Sequence, residues 1–221
     1  KTYKLPVNLP FTCPNRDGML GEKGCAFCGE DGAGFEKDDT YLSVKEQLLN
    51  LKDYIGNKYN VNKFIAYFQN FTNTYLPVEE LCKYVKEADS VSDDIVEISL
   101  STRPDCVNEH YLTRLKETIN VNLSLELGLQ TANYHTLLDI NRGHTLAEFI
   151  DTVNTGKKYD IDIGVHLILN LPGDNLNDVI ENAKILSAMN VDTVKLHALY
   201  IRKNTEFSKR YKQGEISIIS L

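Results

Sequence analysis

The sequence predicts an α/β fold, in which a parallel sheet closes only part of a barrel and helices lie on its outer side. Short β-rich runs alternate with amphipathic helical patterns along the chain. One strand and one helix together take about 30 residues, which is typical of βαβ units in a parallel sheet. Some five or six units can be recognised. A full barrel needs eight, so we expect an open or partial barrel.

Six strands are predicted in chain order from β-rich runs bounded by polar or turn-forming residues. They are Lys4–Leu9, Lys63–Phe68, Ile95–Ser101, Val121–Leu127, Ile161–Leu169 and Val191–Tyr200. Apolar residues that recur every three or four positions predict helices between the strands. These helical stripes begin at Val44, Val78, Leu112, Leu146 and Leu176. No long linker or low-complexity tract divides the chain, so we expect a single domain over residues 1–221.

The composition is that of an ordinary globular protein. Of the 221 residues, 42% are hydrophobic and 25% are charged, and no apolar run approaches the roughly 20 residues of a membrane span. Without a recognisable signal peptide, the chain is expected to be cytoplasmic and to have no membrane partner. The net charge of −7 argues against broad non-specific nucleic-acid binding. The chain starts at Lys1 and ends in an uncapped apolar run, so we expect further sequence at both ends.

Polar and apolar residues alternate along the predicted strands. The helices outside a parallel sheet need an apolar face to pack on, so the polar residues must point to the inside. So many polar groups cannot pack dry at low cost. We therefore expect a wet or ligand-filled lumen, although partial burial with mutual hydrogen bonds is an alternative. The predicted lumen residues are Glu97, Ser99, Ser101, Ser124, Glu126, His166, Lys195 and His197.

Three of the five cysteines cluster in a glycine-rich loop after the first strand. Eleven residues separate Cys13 from Cys25, and two separate Cys25 from Cys28. Thiolates bind soft metals, so zinc and iron–sulfur clusters are the candidates. Three thiolates suit a [4Fe–4S] cluster that keeps one iron open for a ligand. A zinc site completed by a distant residue, or a redox-active cysteine pair with a bystander, would fit the spacing as well.

Several short strings, each at a strand end or early in the next helix, together resemble the radical S-adenosylmethionine superfamily. Within it, the chain looks like the Elongator-like group of bacterial radical enzymes, relatives of the catalytic subunit of Elongator. The match extends from Cys13 to about Gly214. The strings are Cys13–Gly18, Cys25–Cys28, Tyr67–Tyr75, Ser101–Asp105, Glu126–Gln130, Asn141–Thr145, His166–Gly173 and Val194–His197.

The resemblance implies a partial (β/α)6 TIM-like barrel and an enzyme with two cofactors, a [4Fe–4S] cluster and S-adenosylmethionine. A low-potential electron donor of the flavodoxin or ferredoxin type would supply one electron. Cleavage of S-adenosylmethionine would then give a 5′-deoxyadenosyl radical, which abstracts hydrogen from the substrate. The Elongator resemblance implies a tRNA wobble uridine as the substrate. The alternatives are the same chemistry on a small metabolite or peptide, and a zinc-stabilised binding module without catalysis.

The resemblance also assigns roles to residues. Cys13, Cys25 and Cys28 are expected to ligate iron, and Phe27 is expected to shield the cluster and to contact the adenine side of S-adenosylmethionine. The expected contacts with S-adenosylmethionine are the remaining assignments. They are Asn73 and Thr74 for its amino group, Ser101 for the ribose, Gln130 and Arg142 for the methionine part, and the backbone of Leu167–Pro172, with Leu169, for the adenine.

Ser101 departs from the glutamate that many relatives have, so a weaker hydrogen bond to the ribose is expected. Four lumen residues, Glu126, His166, Lys195 and His197, are the candidates for substrate contact. In the lumen, Lys195 is expected to pair with Glu97 or Glu126, or with an anionic substrate. The remaining cysteines, Cys82 and Cys106, are expected to be small buried residues.

Overall fold

A computed structural model describes residues 1–29 and 41–218. Six strands form one sheet in the order of the chain, and each strand is parallel to its neighbour. The sheet curls into a half-barrel with helices around it. The strands are β1 (Tyr3–Val7), β2 (Phe64–Phe68), β3 (Ile95–Thr102), β4 (Asn122–Gln130), β5 (Asp162–Leu169) and β6 (Thr193–Ala198). The predicted fold class is confirmed.

The five predicted helices are present, and two short ones were not predicted. The helices are α1 (Val44–Tyr59), α2 (Val78–Asp89), α3 (Glu109–Thr118), α4 (Tyr134–Asp139), α5 (Leu146–Lys158), α6 (Leu176–Ala188) and α7 (Glu206–Lys212). The missed helices, α4 and α7, have six and seven residues. So few residues give too little periodicity to recognise. No described helix is long and apolar enough to cross a membrane.

Capping side chains fix where the helices begin. The side chain of Ser43 accepts from the backbone of Glu46 at the start of α1, and the Glu46 side chain bonds back to the cap. Thr145 and Glu148 form the same reciprocal pair at α5. Each pair satisfies two backbone N–H groups that would otherwise lack partners. The loops between strands and helices therefore have defined ends, which helps to hold their side chains in place.

The outer face of the sheet forms the main core. Ile98, Leu125 and Val165, from three consecutive strands, are 0% exposed and pack with helix residues in one apolar cluster. Burying each such side chain contributes about 1.5–3 kcal/mol. The core therefore fixes the register of the strands, because a slip by one residue would turn these side chains into the lumen.

The outer face of β6 differs from the prediction. Val194 is 46% and Leu196 is 59% exposed, so the expectation that helices cover this apolar face is wrong for the last strand. The next helix, α7, packs elsewhere. Its Phe207 is fully buried with Ala26 in a second, smaller apolar cluster, and the Phe207 N–H donates to the Ala26 carbonyl at 2.9 Å. Helix α7 thus packs against the cysteine loop and not against the outer face of β6.

Candidate active site

The cysteine loop lies after β1, at the carboxyl edge of the sheet, where ligands bind in α/β folds. Gly24 takes a left-handed backbone conformation at φ 73° just before Cys25, which side chains other than glycine rarely adopt. The Cys28 N–H then donates to the Cys25 carbonyl at 2.9 Å in a tight turn. Burial raises the pKa of the Cys13 thiol, and the nearby Cys25 and Cys28 raise it further. The loop therefore brings the three thiols within electrostatic reach of one another, and their role as iron ligands stays a prediction.

Hydrogen-bond donors surround these thiols. The Asn15 Nδ2 lies 3.4 Å from the Cys25 sulfur, and the Arg142 Nη1 lies 3.5 Å from the same atom. Arg16 donates to the Cys28 carbonyl at 3.2 Å. Donors and positive charges of this kind stabilise thiolates over thiols. Burial and the neighbouring thiols still raise the pKa of Cys13 and Cys28, so these donors offset part of the cost of holding thiolates at this site.

Buried hydrogen-bond donors without a partner fit an iron–sulfur cluster at this place. Four buried polar atoms of the described residues have no hydrogen-bond partner, and two of them, Arg16 Nε and Arg103 Nη1, belong to arginines of this site. The inorganic sulfides of a cluster could accept such hydrogen bonds. In the described part of the chain, no three His, Cys, Asp or Glu side chains converge on a position for a single ion. In a [4Fe–4S] cluster each thiolate holds a different iron, so such convergence is not needed.

The side chains of Gln130 and Arg142 both lie near Gly128. Arg142 donates to the Gly128 carbonyl from Nη2 at 2.6 Å and from Nε at 3.2 Å. A Cβ atom on Gly128 would lie 2.7 Å from Arg142 Nη2 and 2.9 Å from Gln130 Nε2. Gln130 itself has a left-handed backbone at φ 75°, beside a register shift between β4 and β5. The glycine thus makes room for both polar groups.

A cavity joins the cysteine loop to the lumen. Seven of the predicted site residues line it: Phe27, Cys28, Ser101, Gln130, His166, Lys195 and His197. Another lining residue, Ile168, lies in the stretch predicted to line the adenine. Sequence reasoning missed six others, which are Tyr67, Gln69, Ala198, Leu199, Tyr200 and Arg202. Tyr67 could have been found, because it shares the inward face of β2 and begins one of the recognised strings. The cavity connects the groups expected to hold a cofactor with those expected to meet a substrate.

Four predicted cofactor contacts do not line this cavity, namely Asn73, Thr74, Arg142 and Leu169. The Asn73 Nδ2 donates to the carbonyls of Phe68 at 2.9 Å and Ser101 at 2.8 Å, and the Thr74 hydroxyl bonds to that of Thr102 at 2.6 Å. Both side chains therefore tie the loop after β2 to the end of β3. Leu169 is likewise absent from the lining; its carbonyl accepts from the Leu199 N–H at 3.2 Å. Contact of these residues with a cofactor stays a prediction.

The lumen holds a chain of hydrogen-bonded polar side chains. Glu126 accepts from Lys4, and its Oε2 lies 2.6 Å from His166 Nε2. The other ring nitrogen of His166 lies 3.0 Å from His197 Nε2. Burial alone would raise the pKa of Glu126, but hydrogen bonds from His166 and Lys4 outweigh it and hold the pKa well below its usual range. Burial and the nearby His166 and Lys195 lower the pKa of His197 to about 4, so His197 is neutral at pH 7.

The prediction that Lys195 pairs with the carboxylate of Glu97 or Glu126 is wrong. Lys4, on the far edge strand, takes Glu126 instead, and Glu97 accepts from the Ser124 hydroxyl at 2.6 Å. The Lys195 ammonium lies 5.6 Å from the centre of the Tyr67 ring. The lumen is therefore both partly hydrogen-bonded within itself and open to a ligand, which combines the two predicted alternatives.

The fold is an open parallel half-barrel, and three cysteines and a polar cavity lie at the carboxyl ends of its strands. This combination is typical of enzymes that use an iron–sulfur cluster to cleave S-adenosylmethionine. The chain belongs to the Radical SAM superfamily, whose family model matches residues 11–186. Its cofactors are a [4Fe–4S] cluster and S-adenosylmethionine. The alternative of a zinc-stabilised module without catalysis is therefore wrong.

Known proteins similar to the chain agree with this family. The uncharacterized protein YtqA of Bacillus subtilis (strain 168) is 36% identical over 223 residues, which cover 100% of this chain and 68% of YtqA. Elongator complex protein 3 of Schizosaccharomyces pombe (strain 972 / ATCC 24843) is 26% identical over 141 residues, 62% of this chain and 25% of that protein. The solved structure of archaeal Methanocaldococcus infernus Elp3 superimposes with a TM-score of 0.73 at 16% identity. The match covers 97% of this chain and about half, 49%, of that chain.

Proposed function

We propose that Cys13, Cys25 and Cys28 ligate three irons of the cluster and leave the fourth iron to S-adenosylmethionine. The cavity that runs from Cys28 to the lumen supports this proposal, because a cluster and S-adenosylmethionine held there would lie within reach of a substrate. When bound, the two cofactors would supply the one-electron cleavage of a carbon–sulfur bond and, with it, a radical able to abstract hydrogen from a substrate. Phe27 would cover the cluster side of the cavity and limit the access of water.

The polar residues around Gly128 would hold the methionine part of S-adenosylmethionine. A guanidinium binds a carboxylate through two parallel hydrogen bonds, and the Gly128 carbonyl holds Arg142 in place. Gln130 offers an amide from the same side, and the Ser101 hydroxyl would bond the ribose. Asn73 and Thr74 would act through the position of Ser101, because the Asn73 amide holds the Ser101 carbonyl.

For the substrate we propose a base in tRNA, a wobble uridine, modified in the cytoplasm with a flavodoxin- or ferredoxin-type electron donor. The likeness to Elongator complex protein 3 supports this choice. Glu126, His166, Lys195 and His197 would meet the substrate in the lumen. His197, neutral and hydrogen-bonded to His166, has an imidazole that can accept a proton from the substrate side.

A small metabolite or peptide is the second candidate substrate. The net charge of −7 favours it, because binding of a large polyanion depends on many Lys and Arg contacts with phosphates. The radical chemistry would be the same with either substrate. The two candidates differ in whether tRNA changes when the gene is absent.

Two experiments test the proposal. The first measures 5′-deoxyadenosine from anaerobically reconstituted, dithionite-reduced protein, with Cys28→Ala as the inactive variant and Cys82→Ala as the matched cysteine control. Activity that survives in Cys28→Ala would refute the ligand set. The second compares the modified nucleosides of tRNA from a deletion strain and its parent. An unchanged profile would refute tRNA as the substrate and leave the small-molecule candidate.

A further inference from the structure

Arg103 is a charged side chain in the interior, at the carboxyl end of β3. It is 2% exposed. Its Nε and Nη2 donate to the two carboxylate oxygens of Asp105 at 2.9 and 2.7 Å. Its Nη1 has no hydrogen-bond partner among the described residues. A buried charge is costly unless it is paired and fully hydrogen-bonded, so the open Nη1 points to a partner of another kind.

The cysteine loop lies against this guanidinium. A Cβ atom placed on Gly143 would be 3.1 Å from Arg103 Nη2 and 2.7 Å from Asn15 Oδ1. The same Asn15 side chain donates to the Cys25 sulfur at 3.4 Å. Arg103 is therefore separated from the proposed cluster ligands by about one side chain.

The carboxylate of Asp105 is the counter-charge that contacts Arg103 directly. Burial lowers the pKa of Arg103, but Asp105 and, after it, Cys25 raise it above the usual value. Burial raises the pKa of Cys106, the next cysteine along the chain, to about 12. Cys106 is thus a neutral thiol at pH 7, and Asp105 is the anion in direct contact with the guanidinium.

We propose that Arg103 is a positioning residue that holds a buried positive charge against the cluster and raises its reduction potential, while Asp105 weakens this effect. Reduction adds one negative charge to the cluster. A nearby cation in a medium of low polarity stabilises the reduced form more than the oxidised form. This inference rests on the three cysteine ligands proposed above. It adds a residue outside them, Arg103, that tunes the reduction potential of the cluster.

The test is a redox titration of the reconstituted full chain, in which the reduced cluster is followed by electron paramagnetic resonance. Arg103→Gln removes the charge, Arg103→Lys keeps it, and Asp105→Asn removes the opposing charge. Arg114→Gln is the matched control, because Arg114 makes the same two-point contact with Glu79 at 2.9 and 3.0 Å on the surface. Iron and sulfide content is measured for every protein.

The expected shifts have opposite signs. Arg103→Gln lowers the midpoint potential, Asp105→Asn raises it, and Arg103→Lys and Arg114→Gln stay near the wild type. A potential that does not fall in Arg103→Gln, or one that moves in the same direction in Arg103→Gln and Asp105→Asn, overturns the proposal. If Arg103→Gln fails to take up iron, the midpoint potential of Asp105→Asn decides the question. An unchanged or lowered potential in Asp105→Asn also overturns the proposal. Failure of the ligand set would be seen separately, as a full iron content in Cys28→Ala.

Discussion

Glu126 and His166 share a 2.6 Å contact between a carboxylate oxygen and a ring nitrogen across two neighbouring strands. The two residues are not register partners, because Glu126 lies opposite Gly164 and His166 lies opposite Gly128. A Cβ atom on Gly164 would be 3.3 Å from Glu126 Cγ. The two glycines therefore leave room for a diagonal contact, which orients His166 toward His197.

The first prediction concerns the acid stability that Glu126 provides. Its pKa is lower in the folded chain than the unfolded value of about 4.3. Its ion pairs therefore stabilise the fold fully above about pH 4.3, and this contribution is lost as the pH falls further. Glu126→Gln should lower the free energy of unfolding by about 3 kcal/mol at pH 7, because it leaves Lys4 and His166 without an anion.

Urea unfolding of wild type and Glu126→Gln between pH 3 and pH 7 measures this difference. The gap between the two proteins should narrow below pH 4.3 and stay constant above about pH 5. A gap that is the same at pH 3 and pH 7 would show that Glu126 is not held ionised by its neighbours.

The second prediction concerns the charge of His197. Nuclear magnetic resonance of the ring protons should give it a pKa near 4. Because the unfolded value is about 6.5, the unfolded chain takes up this proton first. The contribution of His197 to stability should then fall as the pH drops from about 6.5 to 4. Lys195→Gln should raise the pKa of His197, since one nearby cation is removed, and a midpoint near 6.5 in the wild type would contradict the buried contact with His166.

The third prediction concerns the space above Gly128. Gly128→Ala should weaken binding of S-adenosylmethionine about tenfold, roughly 1.4 kcal/mol. The new methyl group would displace Arg142, which cannot swing aside without losing its bonds to the Gly128 carbonyl and Cys25. Anaerobic calorimetry with the reconstituted protein measures the affinity. Gly21→Ala is the matched control, because its Cβ would meet neighbours at an ordinary 3.5 Å, and equal affinities in the two variants would refute the role of Arg142.

The fourth prediction concerns the cluster itself. Cys28→Ala should lose most of the bound iron and the brown absorbance at roughly 400 nm, because one of three thiolates is gone. Cys82 is buried in the main core on α2, so Cys82→Ala should keep both. Iron analysis and visible spectroscopy after anaerobic reconstitution make the comparison. Equal iron in both variants would mean that Cys28 is not a ligand.

Much of the site could be read from local patterns. The alternation along β4 and β5 placed Glu126 and His166 in the lumen, because the side chains of a strand alternate between its two faces. The recognised strings led to Gln130 and Arg142. What the sequence does not contain is the choice of partners. The Asn73 amide donates to backbone carbonyls, and Leu169 lies outside the cavity lining. Both outcomes depend on how a loop closes onto the next strand.

The amino-acid sequence by itself determined the six parallel strands, the polar lumen and the trio of cysteines, since each follows from short-range periodicity or from residues close together in the chain. Tertiary structure alone decided that Lys4 pairs with Glu126, 122 positions away, and that the Arg103 guanidinium lies near the Asn15 side chain that donates to Cys25. It also decided that α7 leaves the outer face of β6 exposed. These outcomes depend on how the sheet curls and which side chains reach one another across it, and neither is encoded in the spacing of residues along a strand.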